Sequence, residues 1–323
     1  VTNAWLTTNA PVAPVVIKTS APPVVSITNT APAPLPPAGR TPSDILEVQL
    51  ALARQCISCG SLDGTLGSQT RAALRVFQTQ QGIEPTGRWD SATKALLKLD
   101  APTFTTFIVS SNDLAQLQPL SNTWLGKSQQ SALAYESLLE LVSERFQSHP
   151  ALIKKLNPGV NWDCVTAGTE LIVPNAVYPP PALKADHARI RLAERVLDLF
   201  DCDGKVTAHF PCSIGRRFES RPVGELHVVA IAPHPNYTFS PEVFPESEEA
   251  RQLGRKLILP PGPNNPVGVA WIGLDRPGYG IHGTPVPEQV GRTESHGCFR
   301  LANWNAEYFL DVAWVGMPVL VEP

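Results

Sequence analysis

The segment "GYGIHGTPVPEQVGRTESHGCFRL", residues 278–301, gathers His282, His296, Cys298 and Arg300 among glycines, turn residues and small apolar side chains. If "SHGCFRL" is extended, strand alternation puts His296, Cys298 and Arg300 on one face and turns Phe299 and Leu301 to the other. A thiol, an imidazole and a guanidinium then share one surface backed by an apolar anchor. Cysteine attacks a carbonyl as the thiolate, so it needs a neighbour that takes its proton, which an imidazole can do. The ring needs a third group to orient it, and a backbone carbonyl suffices. Charge developing on the attacked oxygen needs donors, which the backbone N–H groups of Gly297 and Cys298 can supply. Gly297 also leaves space beside the thiol for a close backbone approach. These residues predict acyl transfer by Cys298, with either histidine able to serve as base. A zinc site on His282, His296 and Cys298 is the alternative use of the same atoms, but the spacing is not that of a zinc knuckle and no fourth ligand lies nearby.

Such a site must be carried by strands. His282 ends an apolar run and meets the natural turn Gly283-Thr284, after which residues 285–294 give the chain room to return Cys298 alongside. Upstream, "ARIRLAERVLDLFD" and "KVTAHFPCSIG" read as strands flanking the turn pair Asp203-Gly204. "ELHVVAIA", "VGVAWIGL" and "GYGIHG" follow as further strands, then one helix, "NWNAEYFLDVA", and a last strand, "PVLVEP". Few helices and many turns predict a mainly β domain, a sandwich or barrel, over residues 183–323.

The rest of the chain differs in texture. Residues 1–40 are rich in Pro, Ala, Val and Thr without periodicity and predict an extended tether. From Thr41 helical spacing begins, with Leu46, Leu50 and Ala53, then Ala73, Leu74 and Phe77, then Ala92 and Leu96, predicting three helices within 41–100. Gly64, Thr70 and Leu74 have the same spacing as Gly87, Thr93 and Leu97. Each copy reads as a glycine turn followed by a polar helix start, with Ser68 and Asp90 as N-caps. Residues 101–178 read as strand, helix, helix, strand in "TTFIVSSND", "ESLLELVSERF", "PALIKKLNPG" and "AGTELIVPN".

Composition narrows the partners. The chain of 323 residues has a net charge of −3 and no long basic run, which predicts no nucleic-acid partner. No run of apolar residues is long enough for a transmembrane segment, and the start at Val1 predicts that any targeting segment has been removed. Six cysteines, Cys56, Cys59, Cys164, Cys202, Cys212 and Cys298, are too few for a disulfide scaffold. Cys56 and Cys59 read as a local disulfide or two plain thiols, and a Cys202–Cys212 bridge is conceivable about the Asp203-Gly204 hairpin.

Three resemblances rest on these motifs. "IHGT" followed by "SHGCFRL", with "PVGELHV" and "PPGPNNPVGVAWIGL" upstream, is similar to the L,D-transpeptidase catalytic domain of the YkuD type over residues 187–322. "LDGTLGSQTRAALRVFQTQQGIEPTGRWDSAT" resembles a small helical peptidoglycan-binding domain. "LIKKLNPG" and "GTELIVPN" resemble a LysM module, a βααβ glycan-binding unit, although Asn112-Asp113 replaces the usual Gly-Asp and the segment Leu114 to Ala134 is an insertion. The resemblance implies Cys298 as nucleophile, His282 as base, the Gly283 carbonyl as its orienting group and His296 as a site-shaping residue. It implies that Arg300 holds a substrate carboxylate, with Ser295, Gly297, Thr284 and Tyr279 completing the substrate-binding set. It further implies an exported enzyme of the periplasm or cell envelope, acting without metal or organic cofactor on peptidoglycan stem peptides beside glycan strands and forming 3-3 cross-links. The same thioester chemistry with water as acceptor would give an L,D-carboxypeptidase, or release a wall-linked lipoprotein; a non-catalytic wall-binding protein is the alternative from a different class.

Overall fold

The computed structural model describes residues 39–215, 222–243, 247–292 and 297–323. Three helices open it: α1 (Ile45–Ala53), α2 (Ser68–Gln80) and α3 (Ser91–Leu96). α2 buries Thr70, Ala73, Leu74 and Phe77, a stripe at helical spacing that packs on Val48, Leu50 and Leu52 of α1. The sequence repeat has a polar cause. In the first copy Gln49 accepts from Gly64 N at 2.9 Å and donates to Thr70 Oγ1 at 3.0 Å. In the second, Gln78 accepts from Gly87 N at 2.8 Å and donates to Thr93 Oγ1 at 2.7 Å. Gly64 and Gly87 have φ of +71° and +64°, a region few other residues enter, so each copy needs its glycine.

Two local expectations are corrected here. Asp90 caps α3 by accepting from Thr93 N, but the N-cap of α2 is Gly67, and Ser68 is already helical. α3 turns Thr93 inward and leaves Ala92 and Leu96 exposed, because the Gln78 hydrogen bond fixes the helix by Thr93.

Residues 101–178 contain β1 (Phe104–Ile108), α4 (Ser111–Ala115), α5 (Trp124–Ser128), α6 (Leu138–Arg145), α7 (Pro150–Leu156) and β2 (Glu170–Pro174). β1 and β2 pair antiparallel, with Phe107 opposite Leu171. The expected strand, helix, helix, strand order is present as β1, α6, α7 and β2, with α4 and α5 added. Asp113 completes a capping box with Ser110 at the start of α4 and pairs with Arg145 at 2.7 Å.

The remaining strands are β3 (His187–Arg191), β4 (Val196–Phe200), β5 (Val206–Pro211), β6 (Gly224–Pro233), β7 (Tyr237–Phe239), β8 (Leu257–Leu259), β9 (Ala270–Leu274), β10 (Gly280–His282), β11 (Phe299–Arg300) and β12 (Pro318–Glu322), with helices α8 (Glu248–Leu253) and α9 (Asn303–Val312). Eight form one sheet in the order β11-β10-β9-β6-β12-β3-β4-β5. β12 runs parallel to β3 and β10 to β11; the other pairs are antiparallel. The sheet curls until its ends meet: Ser213, just past β5, and Arg300 of β11 exchange two backbone hydrogen bonds of 2.9 Å. This closure is the barrel-like form of the predicted mainly β domain. α9 lays Ala306, Phe309 and Val312 against the core side of the sheet with Ile190, Leu197, Phe210 and Ile272.

The stretch read as one strand, 188–201, holds two, because the turn at 192–195 carries Arg195 at φ +56° and folds β3 back on β4. The hairpin about Asp203-Gly204 joins β4 and β5 as expected, with Gly204 at φ +73°. No disulfide forms among these cysteines: Cys56 and Cys59 are buried thiols, and Cys202 is exposed while Cys212 is buried. Cys202 sits at the hairpin tip while Cys212 lies past the far end of β5, where its N–H donates to the Arg195 carbonyl at 2.8 Å, so the length of the hairpin separates them and the bridge is absent.

The helical regions dock on the sheet. Ser58 N donates to the His209 carbonyl at 2.8 Å and His209 N to the Cys56 carbonyl at 2.9 Å, so the loop after α1 extends the β5 edge. Tyr178 is sandwiched at the base of α9, donating to Asn305 Oδ1 at 2.8 Å. The inserted segment places Leu120, Trp124, Leu125 and Leu133 on the β7–β8 ribbon with Phe239, Leu257 and Leu259. Among the described residues no helix is long and apolar enough to cross a membrane.

Candidate active site

Parallel pairing of β10 with β11 sets Ile281 opposite Phe299 and His282 opposite Arg300. Alternation then does what the sequence predicted for the described residues. Ile281, Phe299 and Leu301 are fully buried in the core, while His282, Cys298 and Arg300 line a pocket of about 540 Å³. β9 supplies the third neighbour: Trp271 pairs with His282 and stacks on its ring at 5.6 Å between centroids. The Trp271 ring also covers Gly280, where an added Cβ would lie 2.6 Å from it, so the indole occupies space that only a glycine leaves.

The His282 ring is oriented from the backbone. Its Nδ1–H donates to the Gly283 carbonyl at 2.6 Å, which fixes the tautomer and leaves the Nε2 lone pair free to accept a proton. Burial, with Arg300 adding to it, pushes the imidazole pKa down to about 4, so the ring is neutral across the physiological range. Burial pushes the Cys298 thiol up against the opposing pull of the Gly280 backbone and Arg300. The resting pair is therefore a neutral thiol and a neutral base. Cys298 Sγ lies 3.5 Å from the Gly278 carbonyl oxygen.

The turn after His282 is locked by Asn303 at the start of α9. Asn303 Oδ1 accepts from Thr284 N at 3.0 Å, and its Nδ2 donates to both oxygens of Glu144 at 3.1 and 2.9 Å. Glu144 belongs to α6, outside the sheet domain, and is buried. Burial raises its pKa to about 8, the acidic neighbours Glu140, Glu307 and Glu288 raising it further and the Asn303 hydrogen bond opposing. Gly283 must be glycine: a Cβ there would sit 2.2 Å from Asn303 Oδ1.

Of the residues expected at the site, His282, Thr284, Gly297, Cys298 and Arg300 line the pocket, and Gly283 holds the ring from behind. A Cβ at Gly297 would meet nothing within 4 Å, in keeping with the expected open approach beside the thiol. Ser295 and His296 lie outside the described residues. Gly278 rather than Tyr279 lines the pocket there, and Tyr279 lies under the Arg276 guanidinium at 4.7 Å on the β9–β10 turn. Trp271, Tyr237, Trp124, Lys127, Asn303 and Glu144 were not anticipated. Only Asn303 had a local signal, a polar residue at a helix start directly after the motif.

The Arg300 guanidinium is half-buried, its Nε has no hydrogen-bond partner, and no carboxylate pairs with it among the described residues. A desolvated cation without a counter-charge beside a thiol and a neutral base is a site for an anionic acyl substrate. Residues 185–321 match the family described as "L,D-transpeptidase catalytic domain", and residues 41–97 match the "Putative peptidoglycan binding domain". The sheet domain is an L,D-transpeptidase catalytic domain. Among curated relatives, the Bacillus licheniformis protein named "Putative L,D-transpeptidase YkuD" is 26% identical over 185 residues, 57% of this chain and 93% of its own length. Bacillus subtilis "Putative L,D-transpeptidase YqjB" is 32% identical over 124 residues, 37% of this chain and 61% of its own length. The crystal structure of an L,D-transpeptidase from Xylanimonas cellulosilytica aligns with 90% of this chain and 99% of its own at 16% identity, with a TM-score of 0.35, too loose an overlap to add to the sequence match. The L,D-transpeptidase domain thus has its nucleophile candidate immediately before β11 and its base candidate at the end of β10.

Proposed function

We propose that this protein is a cell-envelope L,D-transpeptidase that joins peptidoglycan stems through a thioester on Cys298. The supporting observation is the neutral His282, held by the Gly283 carbonyl with Nε2 unprotonated, in one pocket with Cys298 and with Arg300, which has no carboxylate partner among the described residues. Cys298 Sγ attacks the carbonyl of the diamino acid at position three of a tetrapeptide stem as Nε2 of His282 takes the thiol proton. The backbone N–H groups of Gly297 and Cys298 stabilise the oxyanion, and the Arg300 guanidinium holds a substrate carboxylate. His282 returns the proton to the departing amine of the terminal D-Ala, leaving a thioester. The side-chain amine of a second stem attacks it, loses its proton to His282, and expels the Cys298 thiolate, which recovers that proton. One amide bond is broken and one made, and no cofactor enters the balance. The helical domain over 41–97 would hold the wall nearby and raise local substrate concentration.

The test is incubation with purified disaccharide-tetrapeptide and mass spectrometry of the products, with Cys298→Ala alongside. A Cys298-dependent cross-linked dimer lacking one D-Ala is the expected product. Tripeptide alone would make the enzyme a carboxypeptidase, and unchanged substrate would defeat the reading.

A further inference from the structure

The pocket has a wall that the sheet domain does not supply. Trp124 and Lys127 of α5, in the segment inserted between Leu114 and Ala134, line it together with His282, Cys298 and Arg300. That wall is fixed in place. Trp124 N and Leu125 N donate to the two oxygens of Glu249 at 2.9 and 3.0 Å, and the indole stacks on Phe239 of β7 at 4.5 Å between centroids. The Lys127 ammonium lies 5.5 Å from the centre of the Trp124 ring, which restricts where the long side chain can reach.

Among the described residues the pocket lining contains two cationic side chains, Lys127 and Arg300, and no Asp or Glu. The two arise from different modules, one from β11 beside the thiol and one from α5 on the inserted wall. Lys127 has no carboxylate partner among the described residues. Two cations that face one cavity without a carboxylate partner among the described residues match a ligand that carries two carboxylates, each able to form a charge-assisted hydrogen bond.

We propose that Lys127 is a specificity residue that binds the side-chain carboxylate of the diamino acid in the donor stem, while Arg300 faces the carboxylate nearer the reacting carbonyl. This rests on the transpeptidase reading above and extends it to a substrate class: donor stems whose third residue has a free second carboxylate, in preference to stems in which that group is an amide or is missing. The inserted segment is then a selectivity element laid over the catalytic sheet, and the module that carries it is part of the substrate site.

The experiment compares wild type, Lys127→Met and Lys127→Arg on two disaccharide-tetrapeptides that differ only in whether the side-chain carboxylate of the diamino acid is free or amidated. Wild type should favour the free acid about tenfold in kcat/KM, carried by KM. Lys127→Met should erase the preference by raising KM for the acid alone, with kcat retained, and Lys127→Arg should restore it. A merely structural role would lower kcat for both substrates and would not be rescued by charge. Equal turnover of the two substrates by wild type, or a preference that survives Lys127→Met, overturns the assignment while leaving the transpeptidase reading intact. Failure of wild type to process either stem defeats both together.

Discussion

Glu144→Gln should make the protein more stable, and increasingly so as the pH rises. The side chain is 6% exposed, and its carboxyl is surrounded by the start of α9 and by other acidic groups. Its pKa rises from 4.5 to about 8, with burial as the main cause. Between those values the unfolded chain has released the proton while the folded chain retains it. The unfolded state then binds one proton fewer, so stability falls by about 1.4 kcal/mol for each unit of rising pH. From pH 5.5 to 7.5 the wild type loses about 3 kcal/mol on this account. Glutamine has nearly the same shape and does not titrate, and its amide oxygen can still accept from Asn303 Nδ2. With glutamine standing in for the neutral acid, the variant should therefore be ahead by about 1.4 kcal/mol at pH 5.5 and by about 4 kcal/mol at pH 7.5. The assay is urea unfolding followed by tryptophan fluorescence, with both proteins at both pH values. Every other titrating group cancels in the difference. A gap that stays constant with pH would show that Glu144 is ionised in the fold and that the assigned burial effect is wrong.

Three further outcomes follow from the site. Since burial holds His282 near pH 4, kcat/KM on a soluble stem should be flat from about pH 5 to 8, with its acid limb near 4 because the protonated ring cannot accept the thiol proton; a limb near the ordinary 6.5 would contradict the burial assigned to the ring. Gly280→Ala should drive a methyl to 2.6 Å from the Trp271 ring, cost about 1–3 kcal/mol, and reduce kcat by displacing the indole that stacks on His282; unchanged melting and kcat would refute the packing. Removing residues 41–178 should lower the thermal midpoint of the remaining domain by at least ~5 °C, because Asn303, Asn305 and the His209 backbone lose partners in Glu144, Ser58 and Cys56; a fragment that melts with the full chain would show the docking to be weak.

What could be read in the sequence was local and periodic. Cys298 and Arg300 lie two residues apart, so the strand period alone put them on one face, and the apolar Phe299 and Leu301 fixed which face was the core. The glycine and threonine spacing of the repeat was visible because each copy solves the same problem, a left-handed turn tied to a buried glutamine. Contacts between modules were not legible. Glu144 and Asn303 are far apart in the chain and neither belongs to a motif, so only the packing of α6 on α9 brings them together. Lys127 looked like part of an insertion because its segment interrupts one module in order to pack on another. The turn at Arg195 is concealed because residues 188–201 contain no Gly or Pro to mark it, and nothing in the spacing separates Ser68 from Gly67 as the cap.

The packing changes what the N-terminal regions are for. If they acted only by holding the enzyme near the wall, they could be attached through any flexible connection, and their surfaces toward the sheet domain would be polar and wet. Instead Ile57 continues the β5 edge, Tyr178 is enclosed against α9, and Glu144 braces through Asn303 the turn that follows the base. The loop on the other side of the pocket is held in the same way, because Gln69 of α2 donates to the Val290 carbonyl and Arg292 pairs with Asp63 at 3.3 Å. Val290 and Gln289 line the pocket. The residues that position the pocket therefore come from three sequence regions, and a substitution in either helical region can reach the chemistry through one buried hydrogen bond. The helical regions and the pocket are consequently joined by contact, so a glycan ligand added to the helical domain is expected to change kcat as well as wall affinity, and an unchanged kcat would show the contacts to be passive.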